Sequence, residues 1–149
     1  MDTPFPDVRE LEIDSEEPGT GELLASMTAF LRGFPWARRT GRIWVAESIP
    51  GVIGLFLVEL DAVSQDIDRY VWVVVGDVPP AYISSEFAKS PKAAVEGYIA
   101  EMEAWVEAVE KGEPVDDLIP VNGAPTRENA AALKSRLSFI KSKILPDMS

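Results

Sequence analysis

The 149-residue chain contains no histidine and no cysteine. Disulfides, thiolate catalysis, Ser-His-Asp triads and zinc held by His or Cys are thereby excluded within it. An acid–base step near neutral pH would need a carboxylate or a lysine with a strongly shifted pKa. A carboxylate site for magnesium or calcium remains open in principle, but no metal site and no cofactor is expected. Basic residues are scarce: 14 Lys and Arg stand against 25 Asp and Glu, for a net charge of −11. Such a chain repels phosphate backbones, so nucleic acid is not an expected partner. A basic protein partner suits the charge, although an acidic surface is also ordinary for a soluble protein. Long hydrophobic runs are missing too. The longest apolar block, residues 71–75, has the length of a strand, far below the ~20 residues of a membrane span. The opening MDTPFPDVRE is acidic and broken by proline; without a basic n-region or an apolar h-region it does not read as a signal peptide, and a cytoplasmic location is expected.

What the chain does have is concentrated in residues 70–85, YVWVVVGDVPPAYISS. Tyr70, Trp72 and Val74 point to one face of a strand and Val71, Val73 and Val75 to the other, so neither face is polar. Strands of this kind lie at the centre of a sheet or are covered on both sides. Gly76-Asp77 and Pro79-Pro80 then stop the strand, because glycine permits left-handed dihedrals and proline has no N–H to donate.

Before this strand, residues 1–19 hold three prolines and the acidic run Asp14-Ser15-Glu16-Glu17. They read as an acidic N-terminal arm, with a short edge strand around Leu11 and Ile13 as the alternative. Thr20 has the character of an N-cap, and Leu23, Leu24, Met27, Phe30 and Leu31 repeat at helical spacing up to Gly33. Residues 42–60 read as a β-hairpin about Pro50-Gly51. If those two residues form the loop, Ile49 faces Val52, Trp44 faces Leu57, Val45 faces Phe56, Ile43 faces Val58 and Arg42 faces Glu59. Every apolar residue then meets an apolar one, and the charged pair has opposite signs. Glu47 resists the pattern, falling opposite Gly54 on the face of Ile43, Val45, Phe56 and Val58.

After the third strand, Ser90-Pro91 marks the start of a helix that runs to Lys111 with Gly112 as its stop. Val95, Tyr98, Ile99, Met102, Trp105, Val106 and Val109 form its apolar stripe. Thr126 caps a last helix in which Leu133, Leu137, Ile140 and Ile144 recur at helical spacing. Its outer face carries Arg127, Lys134, Arg136, Lys141 and Lys143. The expected fold is α+β: a two-layer sandwich, with an antiparallel sheet of three or four strands and three helices against one face. Residues 1–19 form the arm and 20–149 a single domain.

The hairpin residues IWVAES with Pro50-Gly51, followed by VWVVVGDVPPAYIS and the helix opening SPKAAVEGY, are similar to a family of small bacterial proteins of unassigned function. That family carries an Ile-Trp-x-x-Glu-Ser segment, a Pro-Gly turn, and a strand ending in Gly-Asp-Leu-Pro-x-x-Tyr-Ile-Ser before a helix. Gly76, Asp77, Pro79, Tyr82, Ile83 and Ser84 fit this pattern, whereas Val78 and the insertion 61–69 depart from it. The resemblance spans roughly residues 42–100, and it implies an architecture and no activity.

Candidate chemistry is sparse. Asp77 sits where a strand ends, a position from which α/β enzymes present catalytic carboxylates; the plainer reading is an Asx-type cap on the Pro-Pro turn. Tyr82, Ser84, Ser85 and Glu86 would line the same rim, or form an ordinary loop before a helix. Glu47 is either a desolvated carboxylate available for catalysis or an edge residue reaching water or an arginine. Arg32, Arg38, Arg39 and Arg42, with Trp36 and Trp44 nearby, make a positive island suited to an anion or a carboxylate; the plainer reading is a loop paired with the protein's own acids. Trp36, in a Pro-Trp loop, is the tryptophan expected to be exposed.

Two functions follow. The first is a small acidic binding protein without catalysis, of which an immunity-type inhibitor of a basic enzyme is one concrete form. The second is a carboxylate-based enzyme or small-molecule binder, with Asp77 and Glu86 at the end of the third strand. A homodimer through an uncovered sheet face is compatible with either.

Overall fold

The computed structural model describes residues 5, 8–11, 18–37, 40–60, 69–119, 121 and 123–148. Strands β1 (Arg9–Glu10), β2 (Thr40–Ile49), β3 (Ile53–Leu60), β4 (Tyr70–Gly76) and β5 (Ala81–Ser84) form one antiparallel sheet in the order β1-β2-β3-β4-β5. Helix α1 (Pro18–Leu31) precedes β2, and α2 (Pro91–Lys111) and α3 (Arg127–Phe139) follow β5. The class is α+β with three helices, as expected, but the sheet has five strands rather than three or four. The two additions are short segments at opposite edges. Part of the acidic stretch pairs with β2, Arg9 opposite Val45 and Glu10 opposite Trp44. Residues 81–84 fold back after the prolines onto β4.

The expectation of two layers is corrected. Trp72 and Val74 of β4 pack with Trp44, Tyr98 and Trp105 in one core, while Val71, Val73 and Val75 pack with Leu23, Met27 and Leu31 of α1 in another. Because β3 and β4 are apolar on both faces, both faces need cover. Helix α1 covers one, and α2, with α3 packed on it, covers the other. Neither face of the central strands is left open for the dimer envisaged from the sequence.

The central hairpin register matches the sequence, with Trp44 opposite Leu57, Val45 opposite Phe56 and Ile43 opposite Val58. Nearer the turn it differs. Val52 N–H donates to the Ile49 carbonyl at 2.9 Å and Ile49 pairs with Ile53, so the loop contains three residues, with Gly51 at φ 78°. Proline followed by a left-handed glycine belongs to a type II turn, not to the primed two-residue turns of tight hairpins. A bulge at Ala46 absorbs the extra residue and restores the expected pairing beyond it. In consequence Glu47 lies opposite Leu55 instead of Gly54.

Helix α1 begins at Pro18, two residues before the anticipated cap. Thr20 is buried within its first turn, and its hydroxyl lies 2.5 Å from that of Ser48 on β2. A Cβ on Gly54 would come within 3.2 Å of Leu23, so the bare backbone of β3 lets the helix sit close. The α2 caps follow the sequence: Ser90 Oγ accepts from Ala93 N–H at 3.1 Å, and Gly112 closes the helix at φ 71°. Thr126 Oγ1 likewise accepts from Asn129 N–H at 3.2 Å to open α3, which runs into a single π-turn over Ile140–Ile144. That turn keeps Ile140 and Ile144 buried beside Leu133 and Leu137.

Candidate functional site

Gly76, at φ 126°, turns the chain out of β4, and Asp77 N–H donates to the Val52 carbonyl at 3.0 Å. The Asp77 carboxylate accepts from Arg136 Nε of α3 at 2.9 Å, across 59 residues of sequence. Its side-chain bond therefore reaches the last helix instead of capping the Pro-Pro turn. Both side chains are well exposed, and with Val78, Trp105, Asn129 and Leu133 they line an open hollow of about 330 Å³. Lys134 and Lys141 make similar surface pairs with Glu110 at 3.7 Å and Glu103 at 3.4 Å of α2. Much of the basic face of the last helix thus meets the protein's own acids.

The two carboxylates of the enzyme reading are not brought together. Strand β5 runs antiparallel to β4, with Val74 opposite Ala81 and Val71 opposite Ser84. Asp77 lies beyond one end of that pairing and Glu86 beyond the other, separated by the strand's length of about 13 Å. Glu86 is exposed, and its N–H donates to Ser84 Oγ at 3.2 Å, as in a simple turn. Ser85 beside it is buried. Glu47 is half-buried on β2, far along the sheet order from β5. Among the described residues no group of three acids is placed to hold a metal ion, and no helix is long and apolar enough to cross a membrane.

Of the arginine island, Arg38 and Arg39 and the side chain of Trp36 lie outside the described residues. Arg42 stacks over the Trp44 ring at 5.0 Å and lies 3.6 Å from Glu59, whose Oε1 also accepts the Arg42 N–H at 3.1 Å. The Arg42 N–H bond, together with the Arg42 and Arg69 charges, holds the Glu59 carboxyl below the ordinary carboxylate range against a partial loss of hydration. The cross-strand partner expected for Arg42 is thus Glu59, through a side-chain bond and an ion pair.

A different feature stands out at the sheet edge. Tyr82 and Phe87 are 43% and 75% exposed, although both are large apolar side chains beside a packed core. With Phe30, Phe34, Glu101 and Ile119 they line a groove of about 370 Å³ along β5. The Phe34 ring meets Tyr82 edge-on at 5.2 Å, and Phe30 meets Phe34 at 5.1 Å. Across the strand, Phe87 lies against Gly97 of α2, where a Cβ would come within 3.2 Å of its ring. Two hydrogen bonds, one buried and one partly buried, hold the segments that flank the groove. Trp72 Nε1 donates to the Ala88 carbonyl at 2.9 Å, and the Tyr98 hydroxyl donates to the Pro79 carbonyl at 2.6 Å. Burial pushes the Tyr98 phenol pKa far above its ordinary value, so it stays a donor.

The sequence reading named Tyr82 but missed Phe30, Phe34, Phe87 and Glu101. Two local signals pointed there. Phe87 is an aromatic in a polar turn, and Gly97 interrupts a helix at a cost of about 1 kcal/mol relative to alanine. No family model, no curated protein and no solved structure matches the chain.

Proposed function

We propose that the protein is a small binding module without catalytic activity, and that its partner is a basic protein held at the β5 groove. The observation that carries this reading is the pair of exposed aromatics, Tyr82 and Phe87, set in a preformed groove in which Glu101 is the one charged residue among the described lining residues. Contiguous exposed apolar surface with a polar rim is the usual mark of a contact site. The net charge of −11 favours a basic partner through long-range attraction. An immunity-type inhibitor of a basic enzyme is one form this takes.

The alternative, a small-ligand or carboxylate site at the end of β4, is supported by the 330 Å³ hollow at Asp77. Against it, Asp77 is engaged by Arg136 and Glu86 is not among the residues of that hollow.

Cross-linking in the native cell, followed by titration calorimetry of the purified pair, tests the reading. The expected result is a defined complex that weakens as salt rises from about 0.05 to about 0.5 M, where screening shortens to a few Å. Phe87→Ser and Glu101→Lys, both at exposed positions, should each weaken it at least tenfold with the melting temperature unchanged. If neither substitution changes the affinity, the groove is not the contact site.

A further inference from the structure

We propose that the hollow at the end of β4 is a second binding site, and that it takes a free α-amino acid with an apolar side chain. The inference goes beyond the groove reading and stands on different residues.

Trp105 supplies the first observation. It is 2% exposed and lines the hollow. Trp72, in the same core, gives its indole N–H to the Ala88 carbonyl, but no described group accepts from that of Trp105. An indole N–H left unpaired in a dry core is costly, and among the described residues no buried side-chain nitrogen is in that state. The Trp105 N–H therefore reaches the solvent space that its ring lines, and an acceptor placed there would satisfy it.

The Asp77–Arg136 pair supplies the second. It consists of one hydrogen bond, from Nε to a single carboxylate oxygen. The other oxygen of Asp77 and both Nη groups of Arg136 make no bond among the described residues. An acceptor and a set of donors thus stand side by side, and they are the two charged groups among the described lining residues. Engagement by Arg136 takes Asp77 out of use as a free base or metal ligand, which is what counts against catalysis here. The same pairing suits a molecule that carries both charges. The ammonium of an amino acid would meet the open Asp77 oxygen, and its carboxylate would accept from the Arg136 Nη groups and the Trp105 N–H. Val78, Val121 and Leu133 would receive the side chain.

Other small ligands suit the hollow less well. A simple anion is repelled by Asp77 and by the net charge of −11, and a simple cation by Arg136. A zwitterion has no net charge and escapes both. The volume of about 330 Å³ lies at the lower end of ligand pockets, which run from about 300 to 1,000 Å³, and favours a single amino acid over a nucleotide.

The test titrates the full chain with L-valine, L-leucine, L-methionine and L-phenylalanine up to about 10 mM, tenfold above a weak Kd of about 1 mM. At least one should shift the Trp105 indole N–H resonance, assigned by its loss in Trp105→Phe, with the other three indoles little changed. The amide of that amino acid, which lacks the carboxylate, and its deamino acid, which lacks the ammonium, should each bind at least tenfold more weakly. Asp77→Asn and Arg136→Gln, both at exposed positions, should each weaken it at least tenfold with the melting temperature unchanged. No shift with any of the four, equal binding of either analogue, or unaltered binding by both variants would overturn the inference. Shifts centred on residues 81–87 would place the ligand in the groove and overturn it too. None of these results bears on Phe87→Ser and Glu101→Lys, so the groove reading stands or falls separately.

Discussion

Gly76→Ala should destabilise the protein far more than its exposed position suggests. At φ 126° the residue occupies a region that side-chain-bearing residues rarely enter, at a cost of about 1–3 kcal/mol. A Cβ there would also stand 2.5 Å from the Val52 carbonyl oxygen and 2.8 Å from Ile53 Cα. Both atoms are backbone, so relief requires the start of β3 to move, which adds about 1–3 kcal/mol by analogy with overpacked sites. The expected total is about 2–6 kcal/mol for alanine, with Gly76→Val toward the upper end because its branched side chain is stiffer. For a chain of this size a 3 kcal/mol loss lowers the melting temperature by roughly 6–12 °C. Gly112→Ala is the control. It shares the positive φ, at 71°, but nothing lies within 4 Å of its would-be Cβ, so it should show backbone strain alone, about 1–2 kcal/mol. Asp77→Ala removes an ion pair whose side chains are 62% and 43% exposed and should cost about 0–1 kcal/mol. Urea unfolding with a constant m-value separates these cases. The reasoning is refuted if Gly76→Ala costs no more than Gly112→Ala, or if Asp77→Ala costs more than Gly76→Val.

Glu59 has a depressed folded-state pKa, so its contribution is present above the unfolded carboxylate value and is lost as pH falls through the folded one. The urea midpoints of the wild type and Glu59→Gln should accordingly differ near neutrality and converge on acidification; a gap that widens toward acid pH would refute the assignment. Tyr98 has a raised pKa, so its contribution is complete below the unfolded phenol value and declines as pH rises above it. Spectrophotometric titration should show one of the three tyrosines ionising only on alkaline unfolding, and Tyr98→Phe should abolish that step while costing about 1–2 kcal/mol. Gly97→Ala should stabilise α2 by up to about 1 kcal/mol in urea unfolding while displacing the Phe87 ring and weakening whatever binds the groove. A stabilised variant with unaltered binding would separate the glycine from the site.

Local chemistry was enough to determine most of the elements. The Ser90-Pro91 and Thr126 caps, the Gly112 stop and the two-faced apolar strand at 70–76 are each set by residues within a few positions of one another, and the structure keeps all of them. The central hairpin pairing was legible for the same reason, since Trp44 and Leu57 are only a short loop apart and their faces had to match. What packing decided lies where distant segments compete for surface. That β4 is apolar on both faces was plain from its residues, but which helix would cover which face depended on α1 crossing to the side opposite α2. The Asp77–Arg136 pair joins residues 59 apart, and no spacing rule anticipates it. The bulge at Ala46 shows the same limit: the type II turn is local, but the point where the ladder absorbs its extra residue is set by how β2 fits the core. The groove is the furthest from sequence. Phe30, Phe34, Phe87 and Glu101 belong to three separate segments, and only the folding back of β5 onto β4 brings them to one edge. There Tyr82 and Phe87 stay exposed and Phe30 and Phe34 half-buried, although a linear reading would bury all four, because the groove lies where the sheet ends.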